Sequence, residues 1–499
     1  MKKKILFVVK SLYTVERYGV MLLSALAKGM GWESDLLILE GKKWEKWREK
    51  IEKFSPEIIA CSVMTTEFDS VMEFIKRVKE KFGLFTIMGG PHPTFFPEFF
   101  EKFKDFLDVI FVGESEISFP EFLKEYENEK NFKSINGIWF KDESGKIIKN
   151  PPAPLVEDLD SLPFADRELM VKGDPLLKNS SFHFFFASRG CPNKCTYCFN
   201  HKFNQLFKNC GDLYRRRSPE NLISEMKYVR EKFGMNFAYI DDDIFTMCSN
   251  KWLEEFSSLY KNEVGVPFIC NTHVNFIDEE KIKILKDAGC KVVCFGIECG
   301  DEKIRREILK RNITDSKILE TGKLLRKYGI KFITQNILLL PTNEPLRTDF
   351  KTLDLNIKCK PDFAISQLFY PLPKTELTEY AIKNGFFDPK TAKMPERTNS
   401  FSALQFPNKR EKKKSERLHK LFGVSVNFPF FRPFLPFLIS LPLGWFYSVI
   451  YILYFGIYFK FKIEGEKKGF KEIVFYLKSF VNSLSTFIKI PFKKKETNT

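Results

Sequence analysis

Short apolar runs alternate with helical patterns along most of this 499-residue chain. Within the first 130 residues the apolar runs are KILFVV, DLLIL, EIIACSV, LFTIMGG and DVIFVG, which are typical of strands buried on both faces. Helical periodicity fills the gaps, as at Tyr18–Gly29 and Asp69–Phe82. Because such strands pair in parallel and need helices to cover them, residues 1–130 are predicted to form a doubly wound α/β domain.

A second array of the same kind follows a linker. Residues 131–180 predict a small hairpin around Ser144 and Gly145 and then a Pro-rich extended crossing. Between residues 181 and 400 six apolar runs alternate with helical stretches: FHFFFAS, FAYIDD, FICNT, KVVCFGIE, KFITQNILLL and FAISQLF. Six β–α repeats predict a partial, TIM-like (βα)6 barrel, with functional residues on the loops after the strands.

Cysteine content and charge restrict the chemistry and the partners. Eleven cysteines, an odd number in a long chain, argue against a disulfide framework and favour thiol or metal chemistry in a reducing cytosol. The net charge is +16, but residues 401–499 carry 18 Lys or Arg against 6 Asp or Glu, which gives +12 and leaves +4 for residues 1–400. Because this basic segment flanks a long apolar run, a membrane surface is the predicted partner and nucleic acid is not.

Three cysteines are concentrated in the stretch SRGCPNKCTYCFN, on the loop after the first strand of the second array. Structural zinc uses four closed ligands, usually in two distant pairs, whereas Cys191, Cys195 and Cys198 provide three thiols on one loop. A [4Fe–4S] cluster accepts cysteine thiolates, and three of them leave one iron open for an exogenous ligand. The alternative is a group of reactive or buried cysteines without a metal.

The C-x-x-x-C-x-x-C spacing resembles that of the radical SAM superfamily, in which the amino and carboxylate groups of S-adenosylmethionine bind the open iron. The resemblance implies that Tyr197 packs near the adenine and that Glu298, in FGIECG, contacts S-adenosylmethionine. It implies the same of Asp242 in YIDDDIF, for which a solvated helix start is the alternative.

The loops of the N-terminal domain, SVMTTE, GGPHPT and GESE, resemble those of the cobalamin-binding domain of cobalamin-dependent radical SAM enzymes. The resemblance covers roughly residues 1–400. It implies a cobalamin site on Ser62, Thr65, Gly89, Gly90, Pro91, His92, Gly113 and Glu114. Glu16 falls where many cobalamin domains have a cobalt-ligating His, so no axial ligand from the protein is predicted. The loop position of His92 predicts a hydrogen bond to the ligand or plain solvent exposure.

Other positions depart from the family pattern. His273 lies where relatives often have Arg, Cys299 replaces Ser, and Lys374 lies where Gly is usual. Because these loops face substrate in the family, the departures leave the substrate open.

The segment after residue 400 is predicted to be a helical, membrane-associated tail. Residues 433–459 carry no charge and exceed the roughly 20 residues that span a bilayer, but Pro436 and Pro442 predict a bend. Basic runs flank this stretch, and residues 470–488 predict a basic amphipathic helix. The tail is therefore expected to lie re-entrant or in-plane on the cytoplasmic side of the membrane. A single-pass span and a soluble helical cap on the barrel are the alternatives.

Together these features predict a cobalamin-dependent radical SAM enzyme, a methyltransferase that acts on an unactivated carbon. Its cofactors would be a [4Fe–4S] cluster, S-adenosylmethionine and cobalamin. Its partners would be a reductase or flavodoxin-type electron donor, a membrane surface, and a small-molecule or lipid substrate. One alternative is a cyclase or carbon–carbon coupling enzyme without methyl transfer. Another is a cobalamin-binding membrane sensor, against which the intact cysteine motif argues, because a sensor needs no radical generator.

Overall fold

The computed structural model describes residues 2–11, 16–41, 43–128, 131–173, 180–392, 401–459 and 462–463. The chain forms two compact units. Unit 1 comprises Met1–Asn193, Phe199–Cys270 and Asp287–Gly289, and unit 2 comprises Lys194–Cys198, Asn271–Lys286 and Cys290–Thr499.

Unit 1 begins with a seven-stranded sheet in the order β2–β1–β3–β4–β5–β6–β7. Its strands are β1 (Lys4–Val9), β2 (Glu33–Ile38), β3 (Ile58–Ser62), β4 (Phe85–Gly89), β5 (Val109–Phe111), β6 (Ile138–Lys141) and β7 (Ile147–Lys149). The first five strands pair in parallel, and β6 and β7 are antiparallel. The helices are α1 (Tyr18–Gly29), α2 (Trp44–Phe54), α3 (Phe68–Phe82), α4 (Pro91–Phe95), α5 (Phe100–Phe103) and α6 (Ser118–Glu127).

The central strand β1 shows why this sheet is covered on both faces. Ile5, Phe7 and Val9 pack into one apolar cluster, whereas Leu6 and Val8 pack into the other, because successive side chains of a strand point to opposite faces. The predicted doubly wound α/β arrangement is confirmed. The strand order reverses at β1, which lies between β2 and β3, and such switch points are where open α/β sheets bind ligands.

The hairpin predicted around Ser144 and Gly145 is present as β6 and β7, and β6 pairs with β5, so the hairpin extends the sheet. An extended crossing follows and ends at helix α7 (Arg167–Gly173).

The second array contains the six predicted strands, which are β8 (Phe182–Phe185), β11 (Phe237–Ile240), β12 (Phe268–Thr272), β13 (Cys290–Glu298), β14 (Lys331–Leu338) and β15 (Phe363–Leu368). They follow one another in that order in a six-stranded sheet, which confirms the predicted partial barrel as a half-barrel. A short antiparallel ribbon, β9 (Ser188–Arg189) with β10 (Arg215–Arg216), lies beside the cysteine loop in sequence. The helices are α8 (Phe199–Leu206), α9 (Pro219–Phe233), α10 (Asn250–Leu259), α11 (Glu279–Asp287), α12 (Glu302–Glu307), α13 (Asp315–Lys327), α14 (Pro345–Cys359) and α15 (Glu376–Lys383).

Both ends of helix α9 are marked by local sequence signals. The Ser218 hydroxyl accepts a hydrogen bond from the backbone N–H of Asn221, and Pro219 occupies the first turn, where no backbone donor is needed. Gly234 ends the helix with φ +71°, in the left-handed region that glycine adopts without strain.

The C-terminal segment packs within unit 2 as helices α16 (Lys409–Asn427), α17 (Leu435–Leu438) and α18 (Gly444–Leu453). The break between α17 and α18 confirms the bend predicted at Pro442. The Tyr454 ring stacks on Phe363 of the edge strand β15 at 4.4 Å, and its hydroxyl accepts the Ala364 N–H at 3.1 Å. Among the described residues, no helix combines the length and apolar character that crossing a bilayer requires. The amphipathic helix predicted at residues 470–488 lies outside the described residues.

Candidate active site

The start of the cysteine loop is fixed by a glycine that no other residue could replace without distortion. Gly190 has φ +92°, and a Cβ at this position would lie 1.8 Å from the carbonyl oxygen of Leu213. The close approach lets β9 and β10 pair immediately before Cys191. The side-chain amide of Asn193 lies 3.5 Å from the Cys191 sulfur, and Asn204 donates to the Cys191 carbonyl at 2.8 Å.

In unit 2, Cys195 is buried beside a buried arginine. Nη1 of Arg311 lies 3.8 Å from the Cys195 sulfur and 3.4 Å from the Tyr197 hydroxyl, while Nη2 donates to the Gly296 carbonyl at 2.7 Å. N–H donors directed at thiolate sulfur are a common feature of iron–sulfur sites. No local sequence motif indicates Arg311, which lies 116 residues after Cys195 in the chain.

Glu298 shares this environment with a strained backbone, at φ +65°. Burial raises the pKa of its carboxyl, although Arg311 and the Tyr197 hydroxyl act in the opposite direction. A Cβ on Gly296 would lie 2.0 Å from the Glu298 carboxylate, so glycine is what lets this side chain fold back over the strand. The structure therefore brings together two of the residues that the sequence associated with S-adenosylmethionine, Tyr197 and Glu298.

Asp242, the third of these residues, is fully engaged within unit 1. Its carboxylate accepts the Ala187 N–H at 2.7 Å and the Ser188 hydroxyl at 2.5 Å, and Arg216 lies 3.9 Å away. Burial raises its pKa. These bonds fix the backbone immediately before the cysteine loop, a positioning role that the sequence did not suggest.

The N-terminal sheet has an open cavity of about 170 Å³ at its switch point, next to β1 and β3. Five of the eight predicted cobalamin residues line it: Ser62, Gly89, Gly90, Gly113 and Glu114. A Cβ on Gly90 would come within 2.9 Å of the Val63 backbone, and a Cβ on Gly113 within 2.6 Å of Phe207, so both positions require glycine. The rest of the lining is mainly apolar and includes Phe7, Val20, Leu23 and Phe119. A slot with apolar walls and glycine loops at its rim fits an aromatic base with its sugar and phosphate.

Thr65, Pro91 and His92 lie close in sequence to residues that line the cavity, but they do not line it themselves. The solvent exposure considered for His92 is wrong, because Pro91 starts helix α4 and the imidazole is buried 4.1 Å from the Phe68 ring. Burial lowers its pKa to about 4, and Nδ1 lies 3.4 Å from the Thr65 hydroxyl.

Glu16 is held away from any ligand. It accepts hydrogen bonds from His183 Nδ1 at 2.9 Å and Phe184 N at 3.0 Å and pairs with Arg167. Burial alone would raise the pKa of its carboxyl, but these partners prevail and lower it to about 2. Thr14 and Val15, which precede it, lie outside the described residues.

Two of the positions that depart from the family pattern have an unusual backbone conformation or a buried polar side chain. Lys374 has φ +62°, a conformation that favours the glycine usual there. His273 is buried, and its Nδ1 accepts the Asn275 N–H at 3.2 Å. Burial, with Arg311 adding to it, lowers the pKa of His273 to about 3, so its imidazole is neutral and carries its proton on Nε2.

In the part of the chain that the structure describes, no three His, Cys, Asp or Glu side chains converge around a metal-sized space. The fit to a [4Fe–4S] cluster therefore rests on the donor set: three thiols on one loop, with nitrogen donors directed at Cys191 and Cys195.

Two family models match the chain in separate stretches. Residues 186–352 match the radical SAM superfamily, and residues 5–123 match the B12 binding domain. An uncharacterised methyltransferase of Pyrococcus horikoshii is 28% identical over 372 residues, which make up 73% of this chain and 78% of the relative. An anaerobic magnesium-protoporphyrin IX monomethyl ester cyclase of Rubrivivax gelatinosus is 26% identical over 340 residues, 66% of this chain and 59% of the relative.

The fold is also that of a solved structure. The cobalamin-dependent S-adenosylmethionine radical enzyme OxsB, with aqua-cobalamin and S-adenosylmethionine bound, matches with a TM-score of 0.69 at 15% identity. The match covers 97% of this chain and 75% of that chain.

Proposed function

From the premise that this chain belongs to the radical SAM enzymes with a B12-binding domain, we propose that it methylates an unactivated carbon of a lipid or lipid-linked substrate. As a member of this family it uses a [4Fe–4S] cluster, S-adenosylmethionine and cobalamin. The observation that carries the proposal is the open, glycine-rimmed cavity in unit 1, in the same chain as an intact three-cysteine loop.

When bound, the cluster and S-adenosylmethionine would supply a 5′-deoxyadenosyl radical at the cost of one electron from an external reductase or flavodoxin-type donor. Cobalamin would supply the methyl group, which a second S-adenosylmethionine and a second electron would renew. The protein's residues bind and orient these reagents. Cys191, Cys195 and Cys198 would ligate the cluster, and Arg311 places a permanent positive charge beside the Cys195 sulfur.

Tyr197 and Glu298 would bind S-adenosylmethionine. The Glu298 side chain is buried and the Tyr197 side chain is half-buried beside Arg311, so an adenosine and an amino group could be held there with limited access to water. Ser62, Gly89, Gly90, Gly113 and Glu114 would surround the nucleotide part of cobalamin, since they line the cavity.

The relatives favour methyl transfer and keep one alternative open. The Pyrococcus horikoshii relative is named a methyltransferase, and the Rubrivivax gelatinosus relative is named a cyclase. A cyclase acting on this substrate would need the 5′-deoxyadenosyl radical without net methyl transfer. A cobalamin-binding sensor is disfavoured, because the cysteine loop and the buried Arg311 beside it serve no purpose in a sensor.

The reaction products separate these alternatives. Purified enzyme, reconstituted anaerobically with iron, sulfide and cobalamin, should be supplied with reductant, S-adenosylmethionine carrying a labelled methyl group, and a lipid extract. Methyl transfer predicts 5′-deoxyadenosine and S-adenosylhomocysteine in equal amounts, with the label in the lipid fraction. A 5′-deoxyadenosine product without S-adenosylhomocysteine would support the cyclase, and no cleavage with any extract would support the sensor.

The lipid part of the proposal is supported by the outer face of the C-terminal segment. The aromatic face, which we define as Phe430, Phe434, Phe437 and Trp445, is between 61% and 67% exposed. Exposed aromatic side chains beside a basic segment suit the boundary between lipid headgroups and acyl chains. We propose that this face lies in-plane on anionic lipid on the cytoplasmic side, with a single-pass span as the alternative.

Truncation is a poor test of this contact, because Tyr447 and Tyr454 of the same segment are buried in unit 2. Substituting Phe430, Phe434, Phe437 and Trp445 by Ser spares the buried side. The quadruple variant should lose flotation with vesicles of phosphatidylglycerol and phosphatidylcholine, while retaining cleavage of S-adenosylmethionine. Unchanged flotation would exclude the aromatic face as the contact. If flotation is lost but methylation of a dispersed substrate persists, the aromatic face binds the enzyme to lipid but does not determine the class of substrate.

A further inference from the structure

We propose that Glu114 and Glu116 couple the cobalamin cavity to the cysteine loop, acting as positioning residues through Arg189 and Arg215. This inference rests on the cofactors of the proposed function and not on methyl transfer or on the substrate. We call these four residues the glutamate clamp. All of them, and Cys191, belong to unit 1.

One side of the clamp is the cavity itself. The loop between β5 and α6, from Gly113 to Glu116, lines the cavity at its rim. Its carboxylates are not free to serve a ligand alone, since both are bound by arginines. A ligand that enters the cavity therefore contacts a loop whose two carboxylates are already paired with arginines.

The bonds on the other side are short and directional. Arg215 binds Glu114 with two parallel contacts, Nη1 to Oε2 at 2.8 Å and Nη2 to Oε1 at 2.7 Å. Arg189 bridges both carboxylates, with Nη1 3.0 Å from Glu114 and Nη2 2.7 Å from Glu116. A guanidinium with two parallel contacts fixes the orientation of the carboxylate as well as its distance. The single ammonium of a lysine fixes only the distance.

The arginines carry this geometry to the cysteine loop. Arg189 and Arg215 face each other as a registered pair in the β9–β10 ribbon. Gly190 follows Arg189 and is pressed against the Leu213 carbonyl, and Cys191 comes next. A displacement of Arg189 therefore displaces the backbone of a predicted cluster ligand two residues away.

The charges of the clamp balance, and its side chains are largely buried, with Arg215 3% and Arg189 21% exposed. Moving the loop without the ribbon would leave largely buried charges without their partners, which is strongly unfavourable. The loop and the ribbon should therefore move together. Coupling between two sites is reciprocal, so the factor by which the cluster changes the affinity for cobalamin is also the factor by which cobalamin changes the affinity for the cluster.

The test measures this reciprocity without turnover. Hydroxocobalamin affinity is measured by equilibrium dialysis for wild-type enzyme and for Cys195→Ala, which lacks the cluster. The same pair is measured in an Arg189→Lys background, where one amine cannot bridge two carboxylates. The loss of the cluster should weaken cobalamin binding about fivefold or more in the wild type, a typical coupling, and less than twofold with Arg189→Lys. Arg230→Lys, on helix α9 and outside both the clamp and the cysteine loop, should keep the wild-type ratio.

The electron paramagnetic resonance spectrum of the reduced cluster is a second readout. Cobalamin should change it in the wild type and in Arg230→Lys but not in Arg189→Lys. A change that survives Arg189→Lys would be a through-space effect of the corrinoid and would overturn the proposal, as would equal affinities with and without the cluster.

Hydrogen exchange on unsubstituted protein covers the case in which Arg189→Lys does not fold. Cobalamin should protect amides in residues 186–191 and 213–217 as well as in 113–116. Protection confined to 113–116 would also overturn the proposal. Failure of methyl transfer to any substrate would leave all three measurements intact, so the two proposals fail separately.

Discussion

Arg167 in unit 1 and Arg311 in unit 2 are both buried, but they have different partners. Arg167 contacts the Glu16 and Glu225 carboxylates and donates to the Phe184 carbonyl at 2.8 Å. Arg311 contacts a carbonyl, a phenol and a thiol, and among the described residues no carboxylate oxygen lies within 4.0 Å of it. The Arg167 set is closed, since two carboxylates neutralise it at close range, and it supports the fold. The Arg311 set is open, since its one carboxylate partner, Glu298, acts from beyond 4.0 Å, which leaves room for ligands that carry negative charge.

The prediction with the largest expected effect removes a thiol from the open set around Arg311. Cys195→Ala should abolish reductive cleavage of S-adenosylmethionine to 5′-deoxyadenosine and reduce iron from the about four per chain expected of the reconstituted wild type. Cys191→Ala and Cys198→Ala should behave alike. Cys359→Ala, at a buried thiol far from the loop in sequence, is the control and should keep both iron and cleavage. Full cleavage by Cys195→Ala would refute the assignment of the cluster.

The same chemical change in both sets sharpens the comparison. Lysine keeps the charge but cannot reach three partners from one planar group. Arg311→Lys should slow cleavage of S-adenosylmethionine about tenfold or more with little change in the urea unfolding midpoint. Arg167→Lys should instead lower the unfolding free energy by roughly 2 kcal/mol or more, with cleavage per bound cluster nearly unchanged.

These two variants are each other's control, since both replace a buried arginine. If the stability loss falls on Arg311→Lys and the cleavage loss on Arg167→Lys, the division into closed and open sets is wrong.

The closed set around Arg167 should also make the stability of the protein fall at acid pH. The Glu16 pKa is about 2 in the folded protein and about 4.5 when unperturbed, so the folded state binds fewer protons in between. Its contribution, on the order of 3 kcal/mol, is present above about pH 4.5 and is lost as the pH falls through 2. The difference in unfolding free energy between wild type and Glu16→Gln should therefore shrink from pH 6 to pH 3. A constant difference would mean that Glu16 does not titrate as the structure indicates.

The smallest expected effect is on cobalt. Because Glu16 is engaged with Arg167, His183 and Phe184, bound cob(II)alamin should show no nitrogen superhyperfine splitting from a protein imidazole in its paramagnetic resonance spectrum. Even Glu16→His should leave the spectrum unchanged, since the side chain is directed into the charge network. Splitting in the wild type would show that the lower cobalt face has a protein ligand.

Local signals explain what the sequence could predict. The strands follow from apolar runs, helix α9 from its Ser-Pro start and glycine end, and the cysteines from their spacing on one loop. The partners of these residues could not be read in this way. Glu16 and Arg167 are 151 residues apart, and Cys195 and Arg311 are 116 apart, so only the folded chain reveals them.

His92 shows a different limit of the sequence. The GGPHPT stretch reads as a loop because of its glycines and prolines, yet Pro91 at the first helical position starts α4 and turns the imidazole among Phe68, Phe96 and Phe99. In the tail, the uncharged run at residues 433–459 predicts an apolar segment but not which of its side chains are covered. Tyr447 and Tyr454 are buried within unit 2, and the exposed side carries Phe430, Phe434, Phe437 and Trp445.

The seven-stranded sheet has a consequence for the order in which the protein is assembled. Its last strand ends at Lys149, before any residue of the cysteine loop. In a chain that leaves the ribosome from its N-terminus, all seven strands of this sheet are available before Cys191, Cys195 and Cys198 emerge. The Glu114 and Glu116 carboxylates, however, can pair only after Arg189 and Arg215 have been synthesised. The charges at the cavity rim are therefore balanced only when the chain has grown about a hundred residues beyond Glu114.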